Sequence, residues 1–248
     1  MHYVEHGAGR PVLVLHGAGV DHRETEACFE PAFEAVPGLR RIYPDLPGMG
    51  RSSAKSLESA DDVLGVLLAF ADEVADGGDY LLVGHSVGGY YAQAMASPRV
   101  AGLALVCPFL AGARDVPQRS VVASAGAGQL GDEEFRSYFV LQNAEMLDRY
   151  QRYVAPSAGL VDAVAAARIG QRWQLSPRPG PPYAGPVTVI AGRLDATVGY
   201  AAAVELLDSY PHASLAVVDD TGHALPHEQP QVLRVLLEEW LTRVERSG

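Results

Sequence analysis

Cysteine is scarce in this chain of 248 residues, with only Cys28 and Cys107. Two cysteines cannot build a disulfide framework, and these two lack metal-ligand spacing, so both are expected to pack as buried thiols. Lysine is scarcer still, with Lys55 the single example, and no functional reading follows from that. Basic excess is missing altogether. The formal charge of −11 works against nucleic acid or an anionic membrane as a partner, because binding to either rests on a basic surface. Long apolar runs are missing too. Of the longest stretches without formal charge, Tyr80–Pro98 is broken by His85, Ser86, Gln93 and glycines and Val100–Ala113 is short, so neither reads as a membrane span. No basic region precedes the apolar run Val12–Leu15 and no small-residue cleavage site follows it. No secretory signal is therefore read, and a cytoplasmic location is expected.

What is present is an ordinary globular composition, 48% apolar and 20% charged,. Short β-branched or aliphatic runs recur at Val12–Leu15, Arg41–Tyr43, Tyr80–Val83, Leu103–Cys107, Val187–Ala191 and Leu215–Val218, with helical segments between them. Strand alternating with helix predicts an α/β fold with a doubly wound, mostly parallel sheet. Runs that are apolar on consecutive residues suit strands covered on both faces. Helical stripes are read at Val63, Leu67, Phe70 and Val74, and after Pro230 at Val232, Leu236, Trp240 and Val244. The alternation is interrupted once, by an insert at 109–184. It carries two amphipathic candidates, Asp132–Tyr153 and Leu160–Trp173, and ends in the turn-rich run Ser176–Pro186. The insert holds eight Arg against seven acids, and the rest of the chain eleven bases against twenty-three acids. A helical unit at 109–184 is therefore expected on a sheet domain made of 1–108 and 185–248.

The chemistry centres on Gly84-His85-Ser86-Val87-Gly88, which follows a strand and precedes a helix rich in small residues. Serine is a weak nucleophile, and a tight strand-to-helix turn exposes its Oγ beside a backbone N–H and a helix N-terminus. The candidate base is His223, just beyond the strand Leu215–Val218. The candidate acid is Asp195, after the strand Val187–Ala191, which gives the chain order Ser, Asp, His of this elbow type. Asp219 and Asp220 compete for that role by nearness to His223, although Asp-Asp-Thr-Gly is well suited to turning the chain. Donors for a tetrahedral oxyanion are expected from the backbone N–H groups of Val87 and of Ala18 in His16-Gly17-Ala18-Gly19. His16 itself is read as a structural hydrogen-bonder. In the insert, Tyr138, Phe139 and Met146 belong to a stripe that either forms a core or roofs an apolar pocket.

With these segments in place, the chain resembles the α/β-hydrolase fold superfamily. The similar features are His16-Gly17, Asp45-Leu-Pro-Gly-Met-Gly-Arg-Ser52, Gly84-His-Ser-Val-Gly-Gly89, Gly192-Arg-Leu-Asp195, Gly222-His223 and His227-Glu-Gln-Pro230, in the family's order over nearly the whole chain. The resemblance implies that Asp45–Ser52 is a structural loop near the site and that the insert is a helical cap. The chain departs from the family's pattern at His2-Tyr-Val-Glu5, where the family's first edge strand is expected to be missing or rudimentary. The resemblance implies serine hydrolysis of a small to medium carboxylic ester or related acyl compound, with a small-molecule substrate and no metal or organic cofactor. Dehalogenases and epoxide hydrolases of this fold resemble the chain less, because they carry an aspartate where Ser86 stands. Prolyl iminopeptidases typically show His-Gly-Gly-Pro-Gly where this chain has His16-Gly-Ala-Gly-Val20. Two alternatives stay open: hydrolysis of a C–C bond in a β-diketone-type substrate, and a small-molecule receptor with little turnover.

Overall fold

In the computed structural model, which describes residues 1–112, 115–123, 130–177 and 182–247, the chain opens with strands β1 (Tyr3–Gly7) and β2 (Arg10–Leu15). Helix α1 (His22–Phe33), β3 (Leu39–Pro44), α2 (Ala60–Val74), β4 (Tyr80–His85), α3 (Val87–Met95) and β5 (Val100–Val106) follow. The insert contributes β6 (Val122–Ala123), α4 (Glu133–Tyr138), β7 (Leu141–Gln142), α5 (Ala144–Arg149) and α6 (Ala163–Gly170). The chain then returns through β8 (Val187–Gly192), α7 (Leu206–Ser209), β9 (Ala213–Val218), α8 (Leu225–Glu228) and α9 (Pro230–Ser247). Residues 113–114, 124–129 and 178–181, the last within the expected turn-rich run, lie outside the described residues.

Seven strands form one sheet in the order β1-β3-β2-β4-β5-β8-β9, parallel except for the short edge strand β1, which runs antiparallel to β3. This is the doubly wound, mostly parallel α/β architecture that the sequence predicts. Successive strand residues serve opposite faces. Leu13, Leu15, Leu82, Leu103 and Leu105 pack with α2, α3 and α7, whereas Val12, Val14, Leu81, Val83, Ala104 and Val106 pack with α1 and α9. Burial on both faces explains the unbroken apolar runs. From β2 the chain winds outward to β3, and from β4 it winds the other way, so the order reverses between β2 and β4. Such a reversal leaves a crevice at the carboxyl ends of the two strands. His16-Gly17-Ala18 follows β2 there, and Ser86 follows β4.

Two expectations of local structure are corrected. The face of α9 is offset from the stripe read in the sequence. Leu233, Leu237, Trp240, Leu241 and Val244 are buried, while Val232 is 37% exposed. Steps of four accumulate a drift around a helix of 3.6 residues per turn, and steps of four and three hold one face; the α2 stripe alternates them and is buried throughout. In the insert, the helix expected over Asp132–Tyr153 is interrupted between α4 and α5. The N–H groups of Val140 and Leu141 donate to Glu228 Oε1, at 2.7 and 2.9 Å, instead of continuing a helix. Asn143 then caps α5 through its side chain, which accepts from the Met146 N–H at 2.9 Å.

Candidate active site

Ser86 occupies the junction of β4 and α3 with φ 54° and ψ −120°, a left-handed region that serine adopts only under constraint. The glycines two before and two after make the turn possible. A Cβ on Gly84 would lie 2.5 Å from the Gly88 carbonyl oxygen, and one on Gly88 would lie 2.2 Å from that of Leu15. The main chain of the turn is pinned on both sides. Ser86 N–H donates to Val106 O at 3.0 Å, and Ser86 O accepts from Tyr90 N and Phe109 N at 3.1 and 3.0 Å. Val87 opens α3, so its N–H lies among the first-turn amides that a helix leaves unpaired, and the helix N-terminus favours negative charge beside it.

His223 follows β9, in a loop that turns through Asp220 at φ 55°. Its Nε2 lies 2.9 Å from Ser86 Oγ and its Nδ1 lies 2.8 Å from Asp195 Oδ2. A carboxylate only accepts, so Nδ1 carries the proton and Nε2 is left to accept from the serine hydroxyl. Asp195 is fully buried, and its Oδ1 accepts from the amides of Thr197 and Val198, both at 2.9 Å. Burial alone would raise its pKa, but the His223 contact and these amides hold it below the ordinary carboxylate range. Asp219 and Asp220 are both exposed, and Asp219 faces Arg193 at 4.0 Å.

Across the crevice, a Cβ on Gly17 would stand 3.2 Å from Ser86 Cβ and 3.7 Å from Oγ, so the segment carrying Ala18 runs directly beside the serine. His16 fixes that segment. Its Nδ1 is 2.7 Å from Gly17 O and its Nε2 accepts from Leu46 N at 2.9 Å, and burial pushes its pKa down and keeps it neutral. Asp45 anchors the neighbouring loop. Its carboxylate accepts from the main chain of His22 and Arg51 and lies 2.7 and 2.8 Å from Nδ1 of His22 and His2.

A second buried polar cluster adjoins the first. Glu24 is fully buried on α1, where its Oε1 accepts from the Tyr138 hydroxyl at 3.0 Å and lies 3.5 Å from both His85 Nδ1 and His227 Nε2. Burial would push this carboxyl up, yet the imidazoles beside it hold it well below the usual range. His85 Nε2 lies 3.1 Å from the carbonyl oxygen of His223. Burial opposes the charged form of His85, but Glu24 outweighs it and raises the pKa. His227 is shifted down by burial, and its Nδ1 accepts from Arg149 Nε at 3.2 Å and sits 3.4 Å from Cys28 Sγ. The sequence reading assigned no role to Glu24, His85, His227 or Glu228. His85 lies inside the serine motif and Glu228 inside the quoted His227-Glu-Gln-Pro230 segment, but Glu24 carries no comparable signal.

Of the three insert residues singled out from sequence, the structure brings Tyr138 to the site. Its ring meets the His223 ring edge-on, with centroids 6.2 Å apart. Phe139 and Met146 are buried in a cluster with Phe135, Tyr150 and Ala224. Cys28 and Cys107 are buried free thiols, and burial pushes both up in pKa. Among the described residues, two sets of side chains have metal-ligand spacing, His85 with Cys107 and His223, and His2 with His22 and Asp45. In each, however, the atoms at its centre are already engaged: both nitrogens of His223 with Ser86 and Asp195, and the two oxygens of Asp45 with the main-chain N–H groups of His22 and Arg51. A groove of about 520 Å³ lined by Arg10, Asp79, Pro98 and Pro186 lies at the opposite, amino end of the strands. Among the described residues no helix is long and apolar enough to cross a membrane.

Comparison with known proteins bears on the family and the fold. Residues 12–234 match the sequence model of the alpha/beta hydrolase family. The structure is similar to an alpha/beta superfamily hydrolase from Oenococcus oeni PSU-1, with TM-score 0.89 and 27% identity over 98% of this chain and 96% of that one. It shares its fold with a thermophilic esterase from Thermogutta terrifontis, with TM-score 0.68 and 23% identity over 98% of this chain and 93% of that one. In sequence it is 39% identical over 101 residues to the 2-succinyl-6-hydroxy-2,4-cyclohexadiene-1-carboxylate synthase of Escherichia coli O7:K1 (strain IAI39 / ExPEC). That match spans 40% of this chain and only 38% of the relative's length.

Proposed function

We propose, from the premise that this chain belongs to the alpha/beta hydrolase family, that it is a serine hydrolase of small to medium carboxylic esters or related acyl compounds. The observation that carries this reading is the continuous contact from Ser86 Oγ through both nitrogens of His223 to Asp195, at 2.9 and 2.8 Å. Ser86 Oγ bonds to the substrate carbonyl carbon as His223 Nε2 takes the hydroxyl proton, and Asp195 holds the imidazole in the required tautomer. The N–H groups of Val87 and Ala18 stabilise the resulting oxyanion. Collapse breaks the bond to the leaving group, which receives the proton from His223. Water then attacks the acyl-enzyme by the same route, releasing the acid and restoring Ser86. Residues 109–184 act as a cap over this site, with Tyr138 as the residue that faces it.

The test is covalent labelling by a fluorophosphonate together with hydrolysis of p-nitrophenyl acetate. Stoichiometric labelling that disappears in Ser86→Ala, with a loss of turnover of about 10⁴-fold or more, supports the reading. Undiminished hydrolysis in Ser86→Ala rules it out. A second reading keeps Ser86, His223 and Asp195 and has them act at a C–C bond of a β-diketone-type substrate; the similarity to the E. coli synthase, over 38% of its length, supports considering a reaction other than ester hydrolysis. Turnover of ester and diketone side by side separates the two.

A further inference from the structure

Glu24, His85 and His227 are charged or polar groups with almost no surface: Glu24 and His227 have none, and His85 is 1% exposed. A carboxylate removed from water is costly unless its neighbours hold the charge. Here Tyr138 supplies one hydrogen bond, its hydroxyl donating to Glu24 Oε1 at 3.0 Å, and two imidazoles supply longer contacts. The two imidazole contacts to Glu24 stand at 3.5 Å, and among the described residues Glu24 Oε2, His85 Nδ1 and His227 Nε2 complete no hydrogen bond. Such a group needs a structural or functional reason. With no exposed surface, Glu24 cannot be a substrate contact, so any effect on the chemistry must pass through the residues around it.

One of those residues touches the main chain of the base. A carbonyl oxygen only accepts, so in the 3.1 Å contact between His85 Nε2 and His223 O the ring nitrogen carries the proton,. The opposite nitrogen of the same ring, Nδ1, then faces the Glu24 carboxylate. The negative charge of Glu24, 3.5 Å from Nδ1, favours the doubly protonated His85 ring and attracts that nitrogen, which biases the ring's orientation,. Other bonds hold the same loop at neighbouring positions, with Gly222 N donating to Glu228 Oε2 at 2.9 Å and His227 N to Ala224 O at 2.8 Å. His85 supplies the bond to the peptide of His223 itself. His85 and Ser86 are consecutive residues, so one strand end carries both the serine and the hold on the histidine that meets it.

We propose that Glu24 and His85 are a positioning pair for His223: the carboxylate fixes the His85 ring, and the ring's N–H fixes the main chain from which the His223 imidazole projects toward Ser86. The proposal rests on the reading of Ser86 and His223 as nucleophile and base. Positioning matters at this range because a misplacement of about 1 Å costs on the order of 10²-fold in rate.

The experiment compares full-length wild type with His85→Phe, His85→Gln, Glu24→Gln and Ser86→Ala. It measures p-nitrophenyl acetate hydrolysis and the rate of fluorophosphonate labelling, with folding checked by circular dichroism and melting temperature. His85→Phe keeps a ring and loses the donor. It is expected to lower kcat by roughly 10- to 100-fold with KM nearly unchanged, and to slow labelling by the same factor. His85→Gln, which returns an N–H toward the His223 carbonyl, should recover most of that loss, and Glu24→Gln should fall between the two. A folded His85→Phe with wild-type kcat overturns the proposal, as does a His85→Gln no faster than His85→Phe. If His85→Phe does not fold, Glu24→Gln decides, and wild-type kcat in that variant also overturns the pair. Hydrolysis that survives Ser86→Ala defeats the nucleophile reading and the pair together. A dead Ser86→Ala beside fully active Glu24→Gln and His85→Phe defeats the pair alone.

Discussion

Glu228 and Val140 are 88 residues apart in the chain and 2.7 Å apart in space, with the N–H of Val140 donating to Glu228 Oε1. The same oxygen accepts from Leu141 N, and Oε2 accepts from Thr221 Oγ1 and Gly222 N at 2.7 and 2.9 Å. One buried carboxylate thus ties the insert to the loop that carries His223. Glu228→Ala leaves four donors without this acceptor. Because each buried donor left unpaired costs about 1–3 kcal/mol, the variant should lose at least about 2 kcal/mol of stability. Urea unfolding measures this, and an unchanged midpoint would mean that water or a rearranged loop replaces the carboxylate at no cost.

The acid assignment makes a ranked prediction. Asp195→Asn should leave the fold intact and lower kcat by about 10³- to 10⁴-fold, because the amide no longer holds the imidazole in the accepting tautomer. Asp219→Asn and Asp220→Asn, at exposed positions, should stay near wild type. Steady-state hydrolysis of one ester by the three variants checks the order, and a reversed ranking moves the acid to the loop before His223.

Ser86, Asp195 and His223 are legible in the sequence because each follows an apolar run, and in a parallel sheet the carboxyl ends of strands gather at one edge. The run alone therefore places the residue. Glu24 is not legible in this way. Asp21-x-x-Glu24 reads as an ordinary helix start, and Pro31 within α1 obscures the helix itself; only packing turns the carboxylate inward. The interruption at Val140 and Leu141 is equally hidden, since the acceptor that ends the helix is supplied by Glu228 from the far end of the chain. Phe135 and Phe139 keep helical spacing although α4 ends at Tyr138, so periodicity could not mark the break.

The pH dependence of stability should have two limbs of opposite sign. Asp45 and Asp195 are held below the ordinary aspartate range despite burial, through hydrogen bonds to their carboxylates. Their contribution is present above the unfolded-state pKa and is lost as pH falls through the lower folded-state values. His22 is raised above 6.5, chiefly by its hydrogen bond to Asp45. Its contribution is complete below the unfolded-state pKa and is lost as pH rises through the folded-state value. His22→Gln should therefore destabilise more at about pH 5 than at about pH 9. Urea midpoints of wild type and variant at the two pH values test the sign, and an equal loss at both would show that the charge on His22 contributes nothing.

The insert makes the last prediction, because the large side chains of its stripe divide by what they touch. Phe139 is 1% exposed and Met146 is 3% exposed, both in the cluster with Phe135, Tyr150 and Ala224. Truncating a buried Phe or Met to Ala typically costs about 2–5 kcal/mol, so Phe139→Ala and Met146→Ala should act on stability. Tyr138 packs on Phe139 at the margin of that cluster and, unlike Phe139 and Met146, also presents its ring to His223 and its hydroxyl to Glu24. A change of one methylene in an apolar pocket shifts discrimination by about 1–3 kcal/mol, so Tyr138→Leu should change the ranking of p-nitrophenyl esters from acetate to octanoate while the serine still takes a small phosphonate. The measurement is kcat/KM along the ester series for each folded variant. An unchanged ranking in Tyr138→Leu, with a shift in Phe139→Ala or Met146→Ala, would place the roof of the pocket on the buried cluster and leave Tyr138 as a brace between the insert and α1.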